Sequence, residues 1–361
     1  MQQVRIDVTA SGRTYPVLVG EGLAAGLGPL LHEARLGARR FFVSSPTVWK
    51  LHGRTISKGV PHAEPVLVPD GERYKTLATV SRIYDTLIRA EADRACAIVG
   101  VGGGVIGDMA GLAAATYLRG VAIAHVPTTL LAQVDSAIGG KVGVNHALGK
   151  NLIGAFHQPS VVVADPLVLE TLPRREFRSG LYEVVKYGMI ASRGLFERLA
   201  RDQDAIFARS PEALIPIIVE SCRIKARVVA ADEREAGPRR VLNFGHTVGH
   251  ALEAVTQYRR FRHGEAIGYG MIAAAELSAA RGALAAADLD ALRDIIRQLG
   301  PLPPISDLSV AQVLEAVRRD KKIVNGTLHF VLVTTVGATA IVSDVTEEEL
   351  GQALKAMGLK Q

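Results

Sequence analysis

Short, continuously apolar runs separated by polar turns set the rhythm of the chain as far as residue 166. Val4, Ile6 and Val8 alternate with polar neighbours, Gly12 marks a turn, and Tyr15 to Val19 supplies a return strand. The runs FFVSS at 41, PVLVP at 65, ACAIVGV at 95, VAIAHVP at 121 and VVVAD at 161 have the length and texture of parallel strands covered on both faces. Between two of them Leu77, Val80, Ile83, Tyr84, Leu87 and Ile88 fall on one helical face. This alternation predicts a parallel sheet with helices on both sides.

After Pro166 the pattern changes to long helical periods with explicit start signals. Ser210 precedes Pro211 at a first helical position, and Ser309 with Gln312 and Thr346 with Glu349 form capping boxes. Ile323 to Ser343 carries no charged side chain. Asn325, Gly326, His329, Thr334, Thr335, Gly337 and Thr339 interrupt it in the rhythm of two strands, which argues against a membrane span. The fold class predicted is an α/β domain with a Rossmann-like parallel sheet over 1–166, then a mainly helical domain over 167–361 closed by a hairpin at Leu328–Val342.

Composition adds little to that division but excludes alternatives. With 361 residues, 48% hydrophobic and 22% charged, the chain can bury a sizeable core and is not a disordered or fibrous protein. Its net charge of +6 is spread along the whole length, which suits an anionic small molecule at least as well as nucleic acid. Cys96 and Cys222 are too few for a secreted disulfide scaffold, and the N-terminal MQQVRIDVTASG lacks a signal-peptide layout, so a cytoplasmic location is expected.

The run ACAIVGV leads into Gly102-Gly103-Gly104-Val105-Ile106-Gly107-Asp108 and an alanine-rich helical stretch. Glycines let a phosphate approach the backbone, and amides at a helix start favour an anion. The spacing of Gly102, Gly104 and Gly107 has the form G-x-G-x-x-G in a strand-to-helix context. The acidic ribose ligand usual some way downstream is missing, because that region reads VAIAHVPTT. Two readings stay open: a nucleotide held in a non-standard way, which is favoured, and a turn whose glycines only let strand and helix pack. Beyond Pro127, a glycine-rich loop gathers Thr128, Thr129, Asp135, Ser136, Lys141, Asn145, Lys150 and Asn151, a set suited to phosphate or carboxylate. Val142 after Lys141 excludes a Walker A loop.

In NFGHTVGHALEAV, His246 and His250 share a face if helical, and His263 follows in FRHGEAIGYGM. Three imidazoles suit a catalytic divalent metal that keeps one position open, and spacing alone selects these three as ligands. Glu183 in SGLYEVVKYG is a fourth candidate. Its spacing to Lys186 favours an ordinary exposed ion pair. Lys225, Arg239, Lys321 and Lys322 read singly as surface charge and together as a pocket for a multiply charged substrate.

These segments, together with YLRGV, GKNLIGAFHQP, TLPRREFRSGLYEVVKYG, SCRIKARVVAADERE and DKKIVNG, resemble the 3-dehydroquinate synthase family of sugar phosphate cyclases over nearly the whole chain. The resemblance implies an NAD-binding first domain, a second domain holding zinc or cobalt, a cleft between them, and a homodimer. It places the metal ligands on Glu183, His246 and His263 and moves His250 to substrate contact. Cofactor contacts fall on Glu72, Lys75, Gly103, Gly104, Val105, Asp108, Thr128, Thr129, Asp135, Lys141, Lys150, Asn151, Thr171 and Leu172. Substrate contacts fall on Asp135, Lys141, Lys186, Lys225, Arg239, Asn243, His250 and one of Lys321 or Lys322, with Arg119 reaching the neighbouring subunit's substrate. Three positions depart from the family pattern: Ser45 stands for Asp or Asn at the adenosine ribose, Ala137 for serine and Tyr182 for alanine.

The implied reaction converts a phosphorylated sugar acid, 3-deoxy-D-arabino-heptulosonate 7-phosphate, to 3-dehydroquinate and phosphate. It runs through transient oxidation by NAD, phosphate elimination, re-reduction and an intramolecular aldol closure. The substrate's own phosphate acts as base for the elimination, and His250 and Asn243 are candidates to relay the hydroxyl proton. The rivals are another cyclase of the same architecture, a metal-dependent polyol dehydrogenase that would accumulate NADH, and a basic nucleic-acid-binding protein. The last gives the histidines no role, and neither a nucleic-acid nor a membrane partner is expected.

Overall fold

The computed structural model describes residues 3–10, 12–60, 63, 65–235, 237–319, 323–324 and 327–361. The chain opens with β1 (Val4–Ala10), β2 (Arg13–Val19), α1 (Leu27–Glu33), β3 (Arg40–Ser44), α2 (Pro46–Gly59), β4 (Pro65–Leu67) and α3 (Leu77–Arg89). It continues through β5 (Ala97–Gly102), α4 (Gly104–Thr116), β6 (Ala122–Pro127), β7 (Lys141–His146), β8 (Gly149–Phe156) and β9 (Val161–Ala164). The helices α5 (Arg174–Ala191), α6 (Arg193–Arg201), α7 (Gln203–Phe207), α8 (Pro211–Ala231), α9 (His246–Val255), α10 (His263–Ala280), α11 (Ala286–Gln298) and α12 (Val310–Arg318) come next. The last elements are β10 (Ile323–Val324), β11 (Thr327–Leu328), β12 (Phe330–Thr335), β13 (Ala338–Val342) and α13 (Glu347–Ala356).

Two compact units result: Met1–Pro173 with Phe207–Glu233, and Arg174–Ile206 with Arg234–Gln361. A single cut at 166 does not describe them, because α8 belongs to the first unit. Its buried face, which includes Leu214, Ile217, Ile218 and Cys222, packs on β1, β2 and the turn at Ala132–Ser136. The Cys222 thiol donates to the carbonyl of Gln133 at 3.3 Å.

The first unit is built on a sheet of order β1-β2-β9-β6-β5-β3-β4, parallel throughout except for the β1–β2 hairpin. Successive side chains alternate between its faces. Ile98 and Ile123 meet Val80, Ile83, Leu87, Ile106 and Met109 of α3 and α4 on one face; Val99, Val101, Ala124 and Val163 meet Leu27, Leu31 and Ile56 of α1 and α2 on the other. The apolar stripe of α3 is narrower than its sequence suggests, for Leu77 and Ile88 at its edges are exposed.

The segment after Pro127, read above as a loop, contains a helical turn and the antiparallel β7–β8 hairpin. That hairpin is held against α4 by Val142 and Val144, and Gly111 makes the contact possible: a Cβ there would lie 2.2 Å from Val142 Cγ1.

In the second unit α10 is packed by α9, α5, α11, α13 and β12. Both capping boxes form, at Ser309 and at Thr346. Ser210 stands before Pro211, but its hydroxyl bonds the Glu212 carboxylate and makes no cap to the helix backbone. The late apolar stretch pairs as β12 with β13, Phe330 opposite Val342. Among the described residues no helix is long and apolar enough to cross a membrane.

Candidate active site

Helix α9 carries His246, His250 and Glu253 at spacings of four and three, hence on one face. Gly245, in the left-handed region at φ 79°, starts the helix where a Cβ would meet Met271 at 2.8 Å. His263 is the first residue of α10, so the chain has turned back and the three imidazole centroids lie 5.3, 5.4 and 5.9 Å apart. From α5 the fully buried Glu183 places Oε1 3.7 Å from His246 Nε2 and 3.4 Å from His263 Nε2.

The donor atoms of Glu183, His246 and His263 all lie within 4.8 Å of one another. His250 joins a second such group, with Glu253 and His263. The three-histidine set suggested by spacing is therefore not one of the convergent groups among the described residues. His246 Nδ1 lies 3.1 Å from the Phe244 carbonyl and His263 Nδ1 lies 3.4 Å from Glu253 Oε2. In each ring an acceptor at Nδ1 selects the tautomer whose Nε2 lone pair faces Glu183. With both rings in that tautomer, two lone pairs and a carboxylate converge on one point, a donor set that could hold a cation and suits zinc or cobalt. Without an ion the same contacts hold a proton instead: burial opposes charge on His263, but its hydrogen bonds to Glu183 and Glu253 prevail and push it up to about 10, so a divalent ion would have to displace the Nε2 proton.

Glu183 and Lys186 are not the exposed pair that spacing suggested. Lys186 Nζ lies 2.5 Å from Glu183 Oε2 with both side chains buried, because α5 is packed on all sides from Ser179 to Ile190. Arg239 is also buried, in the short turn Pro238–Asn243. Asn243 at the end of that turn donates to Glu235 Oε1 at 2.5 Å. Glu253 and Glu235 were both missed in the sequence, although Glu253 continues the His246, His250 face. Lys321 and Lys322 lie outside the described residues.

In the first unit, α4 begins at the glycine turn with Gly103 as N-cap and no side chain capping the helix. Gly103 has no side chain to cap them, so the first-turn amides are of the kind that suits an anion. The glycines are also needed for packing: a Cβ on Gly103 would come 2.9 Å from Thr129 Cγ2, and one on Gly104 2.9 Å from Ser136 Oγ. Thr128 N–H donates to the Gly102 carbonyl at 2.9 Å, which ties the β6 end to the turn. Val105 and Asp108 lie in the first turns of α4.

Asp108 meets the buried Lys75 at 2.5 Å, and Lys75 also donates to Asn151 Oδ1 at 2.6 Å. Burial pushes the Asp108 carboxyl up against the opposing pull of Lys75. Asn145 completes the group, donating to Glu72 Oε1 at 2.7 Å and accepting from Asn151 N–H at 2.9 Å. Thus Glu72, Lys75, Asp108 and Asn151 are brought together, with Lys150 beside them on β8. Lys225 on α8 donates to Asp135 Oδ1 at 2.7 Å and to its carbonyl at 2.6 Å.

Other cofactor candidates are set differently. Lys141 is exposed at the start of β7. Thr171 shares a hydrogen bond of 2.9 Å with His52 Nε2, and Leu172 ends the same short helical segment. Arg119 is exposed just past the far end of α4, about 20 Å of helix from the glycine turn, and does not join these groups. Ser45 is buried and accepts from Val48 N–H at 3.2 Å, so its hydroxyl caps α2.

Residues 65–179 match the 3-dehydroquinate synthase N-terminal family and residues 180–323 the 3-dehydroquinate synthase C-terminal family. The chain is 43% identical over 359 residues to a curated 3-dehydroquinate synthase of Nostoc sp. strain PCC 7120, covering 98% of this chain and 99% of that one. Among solved structures it is similar to a 2-epi-5-epi-valiolone synthase of Streptomyces hygroscopicus subsp. jinggangensis with NAD+ and Zn2+ bound, with a TM-score of 0.89, 28% identity and coverage of 97% and 98%. A 2-deoxy-scyllo-inosose synthase complexed with carbaglucose-6-phosphate, NAD+ and Co2+ matches with a TM-score of 0.87, 27% identity and coverage of 98% and 100%.

Proposed function

The chain belongs to the 3-dehydroquinate synthase family, and from that membership we propose that it converts 3-deoxy-D-arabino-heptulosonate 7-phosphate to 3-dehydroquinate and phosphate. This makes it a phosphate-eliminating lyase of aromatic amino acid biosynthesis, acting in the cytoplasm as a homodimer. The observation that carries the reading is the convergence of Glu183, His246 and His263 in a chain whose solved neighbours hold NAD+ with Zn2+ or Co2+.

In this reading Glu183, His246 and His263 hold the divalent ion, and the open α4 N-terminus with Lys75, Asp108 and Asn151 holds NAD. When bound, NAD supplies a transient hydride acceptor and the ion a Lewis acid that acidifies substrate hydroxyls. The protein's own part is binding and proton handling. Lys225, fixed by Asp135, and Lys141 offer point charges to the phosphate and carboxylate of the substrate. Arg239 and Asn243 hold its polar edge, while Lys186 keeps the buried Glu183 carboxylate ionised. His250 Nδ1 or Nε2 takes and returns the hydroxyl proton, which an imidazole can do at neutral pH. Arg119 serves the substrate of the second subunit, and one of Lys321 or Lys322 that of its own.

The test incubates purified protein with the heptulosonate phosphate, catalytic NAD and zinc, and follows released phosphate together with the cyclic product. Equal release of both, with no net NADH, is the expected result. Faster turnover of sedoheptulose 7-phosphate would replace this reading by that of another cyclase, and stoichiometric NADH without phosphate by that of a polyol dehydrogenase.

A further inference from the structure

We propose that Glu253 is the positioning residue of the metal centre: its carboxylate takes the His263 Nδ1–H and so holds Nε2 toward Glu183 and the ion. The inference rests on the metal reading above and adds a residue to it. Glu253 is 4% exposed on α9, on the face that carries His246 and His250. Its Oε2 lies 3.4 Å from His263 Nδ1, while the opposite nitrogen of the same ring lies 3.4 Å from Glu183 Oε1.

A buried carboxylate costs several kcal/mol unless it is paired. Packing alone would therefore place an apolar side chain at this point of the helix, as it does at the neighbouring Ala251 and Leu252. The two histidine ligands are oriented by different means. His246 uses a neutral acceptor, the Phe244 carbonyl, whereas His263 uses an anion. A carboxylate acceptor makes the imidazole more basic and a stronger donor to a cation, and such partners are worth roughly 10- to 100-fold in metal affinity.

The alternative role, direct ligation, would use the His263 nitrogen on the Glu253 side with His250 as third donor. The two roles are exclusive for one ion, since the two ring nitrogens point apart. Direct ligation would also leave the buried Glu183 without part in the centre.

The experiment titrates Co2+ into the metal-stripped full-length chain and reads the d–d absorption bands, with zinc content after dialysis as a second measure. Glu253→Ala is expected to weaken binding roughly 10- to 100-fold. Glu253→Gln, which keeps an acceptor oxygen and the side-chain volume, is expected to recover part of that loss and to shift the d–d bands relative to wild type. Should Glu253→Ala fail to fold, as circular dichroism would reveal, Glu253→Gln decides alone. Affinity and bands within twofold of wild type in every folded variant would overturn the proposal, and so would complete loss of binding in both variants matching His263→Ala. Failure of the wild-type chain to bind Co2+ would instead sink the metal reading itself.

Discussion

His125 offers a quantitative test of how the first unit is packed. It lies on β6 directly opposite Gly100 of β5, facing α4, where a Cβ at Gly100 would be 3.2 Å and one at Gly107 3.7 Å from its Nδ1. Two glycines thus make room for one imidazole, and the ring is sealed beneath the turn with Nδ1 lacking any partner among the described residues. Burial, followed by the neighbouring His157, lowers its pKa from 6.5 to about 4. A depressed histidine binds its proton more readily in the unfolded chain, so stability is unaffected well above pH 6.5 and falls as the pH drops toward 4. The linkage relation gives a loss of about 2 kcal/mol at pH 5 and about 3 kcal/mol at pH 4 relative to pH 8. His125→Gln keeps a polar side chain of similar size but cannot titrate. Urea unfolding of both proteins between pH 8 and pH 4.5 should give curves that run parallel at high pH and separate below pH 6.5, the wild type falling faster. Parallel curves down to pH 4.5 would refute the buried neutral imidazole.

Two further outcomes test the two units separately. His246→Ala is expected to lose bound metal and activity together, whereas His250→Ala keeps metal and loses rate; elemental analysis decides, and a metal-free His250→Ala protein would restore the three-histidine ligand set. Gly111→Ala would thrust a methyl to within 2.2 Å of Val142 and should cost about 1–3 kcal/mol in thermal or urea unfolding, with part of the loss recovered by adding Val142→Ala; a neutral Gly111→Ala would show that β7 does not pack so closely on α4.

The parallel strands were legible because each is covered on both faces and so needs an unbroken apolar run, which few other elements of that length require. The β7–β8 hairpin was not. Its residues Lys141 to Phe156 alternate glycine with both polar and apolar side chains, and what makes it a strand pair is Val142 settling over Gly111, a contact between residues far apart in the chain. The assignment of α8 failed for the same reason. Its pattern identifies a helix with a buried face, but which surface receives that face is decided by β1, β2 and the Ala132–Ser136 turn.

At the site, spacing found the histidines and misjudged the carboxylates, for one physical reason. A glutamate on a helix three residues from a lysine is most often solvated, and the sequence of α5 gives Glu183 no distinguishing mark beyond that pair. Its meaning comes from burial, since a carboxylate removed from water persists only where cations meet it. Lys186 at 2.5 Å is one, and a protonated His263 or a divalent ion is the other. The same reasoning covers Glu253, whose place seven and three residues along from the histidines was visible as a periodicity but not as chemistry. A helix face that repeats His, His, Glu over two turns is thus read most usefully as one surface facing a common cation, with the outer residue tuning a ligand supplied by another helix.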